Sequence, residues 1–459
     1  MASTTAVGVP PTSPGELAAA IERDGIEFLF AMFVDLDGKP CAKLVPVASL
    51  EQLLAGSAGF AGHAAGPMGQ TPADPDLIAM PDIASYTPMP WRPGLAILMC
   101  DPHVDGKPWP YAPRVILKRG LERLAARGMT LQVGAEPEYF LVRRSADGGI
   151  EVADALDDAA LPCYDAKGLT RSYEFLTTMS RVMNELGWAN YASDHEDGNG
   201  QFEQNFRFAD ALTTADRVVI FRYMVHALAQ QAGMLATFMP KPFPNRTGTG
   251  LHLHLSLWDD AGTPLFEGPG DARGLGLSSL AYSFLAGVLD HASGLAAVTC
   301  PTVNSYKRVG AGPPTSGAAW APGYATYGGN NRTQMVRIPE SGRIEVRSVD
   351  GAANPYLALT GLLAAGTDGI DRGLDPGEPN KENLFELSAA EVASRGIRSL
   401  PATLAAAADE LVTDGVLREA FGKVPGGEYI DYYAAVKRAE FAEYHAQVSA
   451  WEIRRYLTS

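Results

Sequence analysis

The chain has few cysteines and no long apolar run, and both shortages limit what it can be. Its four cysteines are scattered over 459 residues, with no CxxC pair. Such spacing is typical of neither a structural zinc site nor a disulfide scaffold. The opening stretch MASTTAVGVPPTSP lacks the basic and apolar regions of a secretory signal, and no apolar run is long enough for a membrane span. These absences predict a soluble cytoplasmic protein with reduced thiols.

Clustered positive charge is also missing. Lysine and arginine number 37 against 53 acidic residues, which gives a formal net charge of -16. Because nucleic acids and anionic membranes are held mainly by clustered lysine and arginine, the sequence predicts partners of neither kind. A small anionic substrate stays compatible with this charge if a few arginines converge locally. With 46% hydrophobic and 20% charged residues, the chain is expected to fold compactly.

The order of patterns predicts a small domain followed by a large one. A short helix over residues 15–24 precedes a hairpin in FLFAMFVDLDGKPCAKLVPV, with DGK at its turn. Residues 56–93 are rich in Gly, Pro and Ala, so we predict an ordered loop region there. The first domain is predicted over 15–111 and the second over 112–459, where short strands alternate with helices. We predict these helices at 113–128, 169–186, 214–232, 278–297, 354–371, 401–421 and 427–456.

Three predicted strands carry ionisable residues on one face. Side chains alternate along a strand, so residues two apart point the same way. LQVGAEPEYFLV places Glu136 and Glu138 together. LHLHLSLW places His252, His254 and Ser256 opposite four leucines, and GRIEVRSV aligns Arg343, Glu345 and Arg347. Solvated strand faces are common, but three such rows favour divalent cations with an anionic substrate, because arginine binds phosphate or carboxylate in two-point contacts.

The HxH pair alone also fits a zinc hydrolase or a cupin-type metal strand. Glutamates in separate segments outnumber the histidines, however, and oxygen ligands favour magnesium or manganese over zinc. The sequence therefore favours Mg²⁺ or Mn²⁺, with the zinc alternatives weaker.

These segments together resemble the signature stretches of the glutamine synthetase family, in order and over most of the chain. The matching stretches are VDLDGKP, GAEPEYFL, DHEDGNGQFEQNF, FMPKPFPNRTGTGLHLHLSL, NSYKR, GGNNRTQMVRIP and GRIEVRSVDGAANPYLAL. The resemblance implies an α+β fold: a small N-terminal β-grasp-like domain and a large catalytic domain with a split antiparallel β-barrel flanked by helices. It also implies a homododecamer with sites at subunit interfaces.

The resemblance further implies an ATP-dependent ligase that phosphorylates the γ-carboxylate of L-glutamate and transfers the acyl group to an amine. Two metal ions, Mg²⁺ or Mn²⁺, would be held at each site. By residue, the resemblance implies a first metal site of Glu138, Glu196 and Glu203; a second of Glu136, His252 and Glu345; ATP contacts from His254, Ser256, Arg332, Arg337 and Arg343; glutamate contacts from Gly248, Arg308 and Arg347; and catalytic roles for Arg308, Arg332 and Arg337.

The chain departs from the family pattern in the region expected to bind the amine. Where ammonia-using members carry an aspartate in an F-D-G-S-like stretch, this chain has Ala61, and alignment on Ala-Pro puts Trp320 in place of a flap glutamate. Loss of carboxylates disfavours ammonium, and an indole suits an alkylammonium. We therefore predict an organic amine such as methylamine, ethanolamine or a polyamine.

Three alternatives stay open at this stage. They are ordinary glutamine synthesis from ammonia, a non-catalytic structural or regulatory relative, and a guanidino kinase. A separate departure concerns regulation: the stretch that carries an adenylylated tyrosine in the family reads Asn383-Leu384-Phe385 here, so we predict no control by that modification.

Overall fold

The computed structural model describes residues 10–309 and 321–459, and its elements form two main β-sheets with surrounding helices. Within these ranges, no helix is both long and apolar enough to cross a membrane.

The helices are α1 Pro14–Arg23, α2 Leu50–Leu54, α3 Gly62–Ala65, α4 Pro113–Ala125, α5 Ala166–Arg171, α6 Tyr173–Glu185, α7 Ala211–Gln231, α8 Ser279–Asp290, α9 Ala292–Thr299, α10 Pro355–Arg372, α11 Ala389–Ser394, α12 Leu404–Thr413, α13 Gly415–Phe421, α14 Tyr429–His445 and α15 Ala450–Tyr456. The strands are β1 Phe28–Val34, β2 Pro40–Pro46, β3 Gly59–Phe60, β4 Leu77–Pro81, β5 Thr87–Pro88, β6 Leu95–Val104, β7 Lys107–Pro108, β8 Met129–Arg144, β9 Ile150–Val152, β10 Asn190–His195, β11 Gln201–Phe206, β12 Ala209–Asp210, β13 Leu235–Thr237, β14 Leu251–Asp259, β15 Tyr327–Gly328, β16 Val336–Arg337, β17 Ile344–Val346, β18 Lys423–Val424 and β19 Gly427–Glu428.

The smaller sheet contains the hairpin that the sequence predicts. Strands β1 and β2 pair antiparallel from Phe28 opposite Pro46 to Val34 opposite Pro40. At the turn, the Asp35 carboxylate accepts a hydrogen bond from the Lys39 amide at 2.9 Å. The sheet runs β2-β1-β6-β4-β3, with β5 and β7 also on β6. The predicted hairpin is confirmed.

The prediction of a loop region over 56–93 is wrong in part. Strand β4 pairs antiparallel with both β3 and β6, and so joins the smaller sheet. Leu77 and Ala79 alternate into its core. The five-residue strand stands among Gly and Pro, and so short an apolar run gives little periodicity to detect.

The larger sheet is curled and follows the order β10-β11-β8-β14-β17-β16-β15. Its central strand is β8, which pairs with β14 over nine residues and also with β11. The four leucines of LHLHLSLW are fully buried on the helix side, as alternation predicts. Helices cover that side, with α10 packed on α4 and α8. An α+β fold with a curled half-barrel and flanking helices is confirmed.

Several predicted helices are each interrupted by one turn. The segment 278–297 divides into α8 and α9 at His291, and 401–421 divides into α12 and α13 at Asp414. Asp414 accepts hydrogen bonds from the backbone of Val416 and Leu417, so it begins a new helix. It also binds His291 Nδ1 at 2.7 Å. Because the apolar residues continue across this cap, the sequence pattern predicts one helix where the structure has two. The segments 169–186 and 427–456 also divide, into α5 and α6 and into α14 and α15.

A buried cluster of charges joins the two sheets through α4. The Arg114 guanidinium binds Asp101 at 2.7 Å and both Asp82 and Asp216 at 3.0 Å. The Tyr356 hydroxyl donates to Asp216 at 2.6 Å. Buried charge is stable only when paired in this way. These contacts link the smaller sheet to helices α7 and α10 of the following region, and the domain boundary at 111–112 stays a prediction.

Candidate active site

Three adjacent strands bring the predicted ionisable rows side by side. In the register, His252 lies opposite Glu136 on β8, and His254 lies opposite Glu345 on β17. Because each strand buries its apolar residues against the helices, its ionisable residues face the other way, into the concave side of the curled sheet. Residues more than 200 positions apart in the chain therefore meet on one surface.

Two groups of candidate metal ligands share His252. One contains Glu136, His252 and Glu345, and the other contains Glu138, Glu203 and His252; within each group the ligand atoms lie within 4.8 Å of one another. Nδ1 of His252 is 3.6 Å from Glu136 Oε2 and 3.7 Å from Glu345 Oε1. Nε2 is 3.6 Å from Glu138 Oε1. Ligands about 2.1 Å from one ion would be separated by roughly 3–3.5 Å, so these gaps of 3.6–3.7 Å would have to close by only a few tenths of an ångström around a divalent cation.

The charge of this cluster also fits a cation. Burial, reinforced by the carboxylates of Glu136 and Glu196, raises the pKa of Glu203 well above its usual range. Burial and the charge of Glu138 raise the pKa of Glu196 to about 8. Carboxyl groups that hold their protons for this reason would release them to a divalent ion. The donor set therefore suits Mg²⁺ or Mn²⁺.

Glu196 lies at the edge of the cluster to which the resemblance assigns it. It follows the last residue of β10, and its amide donates to the Gln201 carbonyl at 2.9 Å, which continues the pairing with β11. Its carboxylate groups with Cys163 and Asp197 within 4.8 Å. The charges of Glu138 and Glu196 still act on each other, as the raised pKa of Glu196 shows. Glu196 thus borders the Glu138 and Glu203 group without belonging to it in this arrangement.

Sequence reasoning missed two amides that hold the glutamates in place. Gln201 donates to Glu138 Oε2 at 2.8 Å and to the Gly248 carbonyl at 3.0 Å. Asn205 donates to Glu203 Oε1 at 2.9 Å. Both amides are buried on β11. The signal was present, since these residues alternate with Glu203 in GQFEQNF and so share its face.

Two of the predicted arginines bind one buried carboxylate. Arg337 Nη1 lies 2.6 Å from Glu345 Oε2, and Arg347 Nη1 lies 2.5 Å from Oε1. Burial acts to raise the pKa of Glu345, but the charge of Arg347 and the nearby histidines outweighs it and lowers that pKa. Glu345 is therefore held ionised beside His252, as a metal ligand requires.

The predicted glutamate-binding residues lie at one end of this cluster. Arg308 is buried and donates to the carbonyls of Ser348 and Arg347, both at 3.2 Å. A side chain at Gly248 would come within 2.6 Å of Arg308 Cγ, so this position needs glycine. The Gly248 backbone therefore lies beside the methylene groups of the Arg308 side chain.

The remaining predicted ATP residues are spread along the same surface. His254 Nε2 is 2.9 Å from Glu136 Oε1, and Ser256 accepts a hydrogen bond from Trp258 at 3.0 Å. Arg332 is exposed, and its charge acts on the pKa of Arg337. Arg343 pairs with Glu340 at 3.2 Å. His254 and Ser256 lie on β14, while Arg332 precedes β16 and Arg343 directly precedes β17, so these residues lie on or next to strands of the larger sheet.

Phe208 and Trp258 form an aromatic pair next to the predicted ATP contacts on β14, and the sequence patterns did not point to it. The rings of Phe208 and Trp258 lie 6.0 Å apart, and Phe208 is about half exposed. Trp258 follows Ser256 at the next position but one on β14, so the pair flanks a predicted ATP contact. An exposed aromatic face of this kind suits a nucleobase.

Of the two residues predicted for the amine pocket, only Ala61 lies in the described part of the chain, and it stands beside the smaller sheet rather than on the strands of this cluster. Ala61 is exposed between β3 and α3 on the smaller sheet, and the adjacent Gly62 faces Gln70 and Leu77. Trp320 lies outside the described residues. Their roles therefore stay predictions.

Comparison with known proteins gives concordant matches over nearly the whole chain. The family model for the glutamine synthetase catalytic domain matches residues 110–456. A glutamate–methylamine ligase from Methyloversatilis universalis is 44% identical, covering 97% of this chain and 99% of that protein. A glutamine synthetase from Rhizobium meliloti is 41% identical, covering 95% and 98%. A solved structure described as a GmaS/ADP complex has a TM-score of 0.90 and 46% identity, covering 96% of this chain and 99% of that one.

Proposed function

The chain belongs to the glutamine synthetase family and is a ligase of that type, and from this premise we propose that it joins the γ-carboxylate of L-glutamate to a small organic amine. The proposed acceptor is methylamine, and the reaction converts ATP to ADP and phosphate. The observation that carries this proposal is the single surface on which β8, β14 and β17 align carboxylates, imidazoles and arginines. Such a surface suits phosphoryl transfer to a carboxylate.

Two bound divalent cations would neutralise the negative charge on the phosphates and the γ-carboxylate. Glu136, His252 and Glu345 would hold one cation. Glu138, Glu203 and, after a small movement, Glu196 would hold the other. Gln201 and Asn205 orient Glu138 and Glu203 through the hydrogen bonds described above, which keeps the carboxylate oxygens aimed at the site. The choice between Mg²⁺ and Mn²⁺ belongs to this proposal.

The arginines would act on the substrates. Arg308 and Arg347, with the Gly248 backbone, would bind L-glutamate. Arg332 and Arg337 would lie against the phosphates and stabilise the charge that spreads over the transferred phosphoryl group, because their position is fixed before reaction. Arg343, His254 and Ser256 would contact ATP, and its base would stack on Phe208 next to Trp258.

Two observations support methylamine as the acceptor: the residue at position 61 and the similarity to a glutamate–methylamine ligase. Ala61 provides no carboxylate at the position where ammonia-using members carry one, and a glutamate–methylamine ligase is similar over nearly its full length. An alkylammonium needs apolar surface for its methyl group, which a second carboxylate would not provide. These observations favour methylamine over ethanolamine or a polyamine.

Steady-state kinetics over an amine panel tests the proposal. With glutamate, ATP and Mn²⁺ or Mg²⁺ saturating, we expect kcat/KM for methylamine to exceed that for ammonium at least tenfold, with γ-glutamylmethylamide as the product identified by mass. A higher kcat/KM for ammonium than for every organic amine would instead establish glutamine synthesis, the second candidate, which the 41% identity to a glutamine synthetase favours.

We further propose a cytoplasmic homododecamer in which the smaller sheet of one subunit completes the site of the next. The exposure of Ala61, apart from the metal cluster of its own chain, supports this arrangement. Sedimentation equilibrium tests it: a species of twelve chains is expected, and a monomer with full activity would exclude it.

A further inference from the structure

The two loops that hold the proposed glutamate contacts are joined to each other by one side chain. Gly248 lies on the loop between β13 and β14, and Arg308 lies on the loop that follows α9. The Asn304 side chain accepts a hydrogen bond from the Lys241 amide at 2.7 Å and donates one to the Lys241 carbonyl at 3.1 Å. Both backbone groups of Lys241 thus find their partner on the second loop. Asn304 therefore fixes the distance between the two loops at this point.

The Lys241 side chain closes the first loop on itself. Its ammonium group donates to the Arg246 carbonyl, two residues before Gly248. Directly after Gly248, the Thr249 amide donates to the Pro240 carbonyl at 2.8 Å. The loop is thereby closed on both sides of Gly248, so these two hydrogen bonds set the position of the Gly248 backbone.

Lys241 also carries a positive charge next to the proposed glutamate contacts. The side chain is buried, and this burial, together with the charge of Arg308, lowers the pKa of Lys241. In the part of the chain that the structure describes, no carboxylate forms an ion pair with this ammonium group. Because buried charges are normally paired, a buried cation without a counter-ion beside Arg308 suits an anionic ligand.

We propose that Lys241 and Asn304 are positioning residues for L-glutamate. The pair fixes the Gly248 backbone beside Arg308, and the ammonium group adds positive charge where the carboxylates of the substrate bind. This inference rests on the proposed function, because it takes Gly248 and Arg308 as glutamate contacts. Neither Lys241 nor Asn304 is assigned a contact with ATP or with the amine. Loss of either side chain should therefore weaken glutamate binding and leave the chemical step unchanged.

Steady-state kinetics with substituted enzymes test this inference, with the other substrates and Mn²⁺ saturating. Lys241→Met keeps an unbranched side chain but removes the ammonium group, and we expect KM for glutamate to rise about tenfold while kcat and KM for ATP stay within twofold of wild type. Asn304→Ala removes both hydrogen bonds to Lys241 without removing a charge, so we expect a rise of about fivefold. This variant gives the same readout if Lys241→Met folds poorly. Lys241→Arg keeps a charged donor and should hold KM for glutamate within about threefold of wild type.

A matched control is Lys423→Met, the same change at an exposed lysine on β18, which should leave every KM unchanged. If either Lys241→Met or Asn304→Ala keeps KM for glutamate within twofold of wild type, or raises KM for ATP as much as KM for glutamate, the inference is overturned and the proposed function stands. If the wild-type enzyme prefers ammonium to methylamine, the proposed acceptor fails instead. KM for glutamate, measured with ammonium as the acceptor, then still tests the roles of Lys241 and Asn304.

Discussion

Replacing Glu345 by glutamine separates its proposed role as a metal ligand from its role as an arginine partner. Both carboxylate oxygens accept charged hydrogen bonds, one from Arg337 at 2.6 Å and one from Arg347 at 2.5 Å. Glutamine keeps one acceptor oxygen, so one arginine stays bonded while the other faces an amide NH₂. A hydrogen bond to a charged group contributes ~1.5–3 kcal/mol, and a buried guanidinium left without its partner adds to that cost. We expect Glu345→Gln to lower the free energy of unfolding by about 3 kcal/mol.

The informative readout is thermal unfolding of wild type and Glu345→Gln, each with and without saturating Mn²⁺. A ligand that binds only the folded state raises the melting temperature, so loss of one metal ligand should reduce the rise that Mn²⁺ produces. We expect the variant to melt lower without metal, to gain less from Mn²⁺, and to lose at least 100-fold in kcat. Asp409→Asn is the control, because its exposed pair with Arg438 contributes little.

One thermal-unfolding result would contradict the proposed role of Glu345 as a metal ligand. If Glu345→Gln melts lower but gains as much from Mn²⁺ as the wild type, the carboxylate serves the arginines alone. A variant as stable as the wild type without metal would contradict the ion-pair geometry instead.

Three further predictions concern pH, the nucleotide and the amine. The pKa of Glu196 in the folded protein is raised to about 8 from its ordinary value of 4.5, so between these values the folded metal-free protein binds more protons than the unfolded chain. Its stability should therefore fall as pH rises from 6 to 8. The melting-point gain from Mn²⁺ should grow over the same range, and a gain independent of pH would contradict this. Phe208→Ala should raise KM for ATP on the order of 10-fold, since base–aromatic stacking contributes ~1–3 kcal/mol, while Phe28→Ala, a similarly exposed ring on the smaller sheet, should not. Ala61→Asp restores a carboxylate and should raise kcat/KM for ammonium several-fold in direct kinetics; no change would remove position 61 from the amine site.

The strand rows were predictable because alternation is strict on β8, β14 and β17. Two-residue spacing in the sequence sufficed to place Glu136 with Glu138 and His252 with His254. Which rows would become neighbours followed only from family resemblance, since strand order depends on long-range pairing that no local pattern encodes. The register that sets His252 opposite Glu136 is a property of the folded sheet.

The features that escaped prediction depend on loops and caps. Lys241 gains its position from hydrogen bonds to Asn304, a contact 63 positions away with no sequence signature. Asp414 interrupts an apolar pattern by capping a helix, which a periodicity search reads through. These hydrogen bonds form only when the tertiary structure has brought their partners together, so no local sequence pattern predicts them.

Anomalous diffraction from crystals of the protein grown with Mn²⁺ and ADP would locate the bound ions without reference to activity. We expect two manganese peaks per subunit, one among Glu136, His252 and Glu345 and one beside Glu138 and Glu203. Peaks elsewhere, or none at these carboxylates under conditions that support turnover, would contradict this expectation.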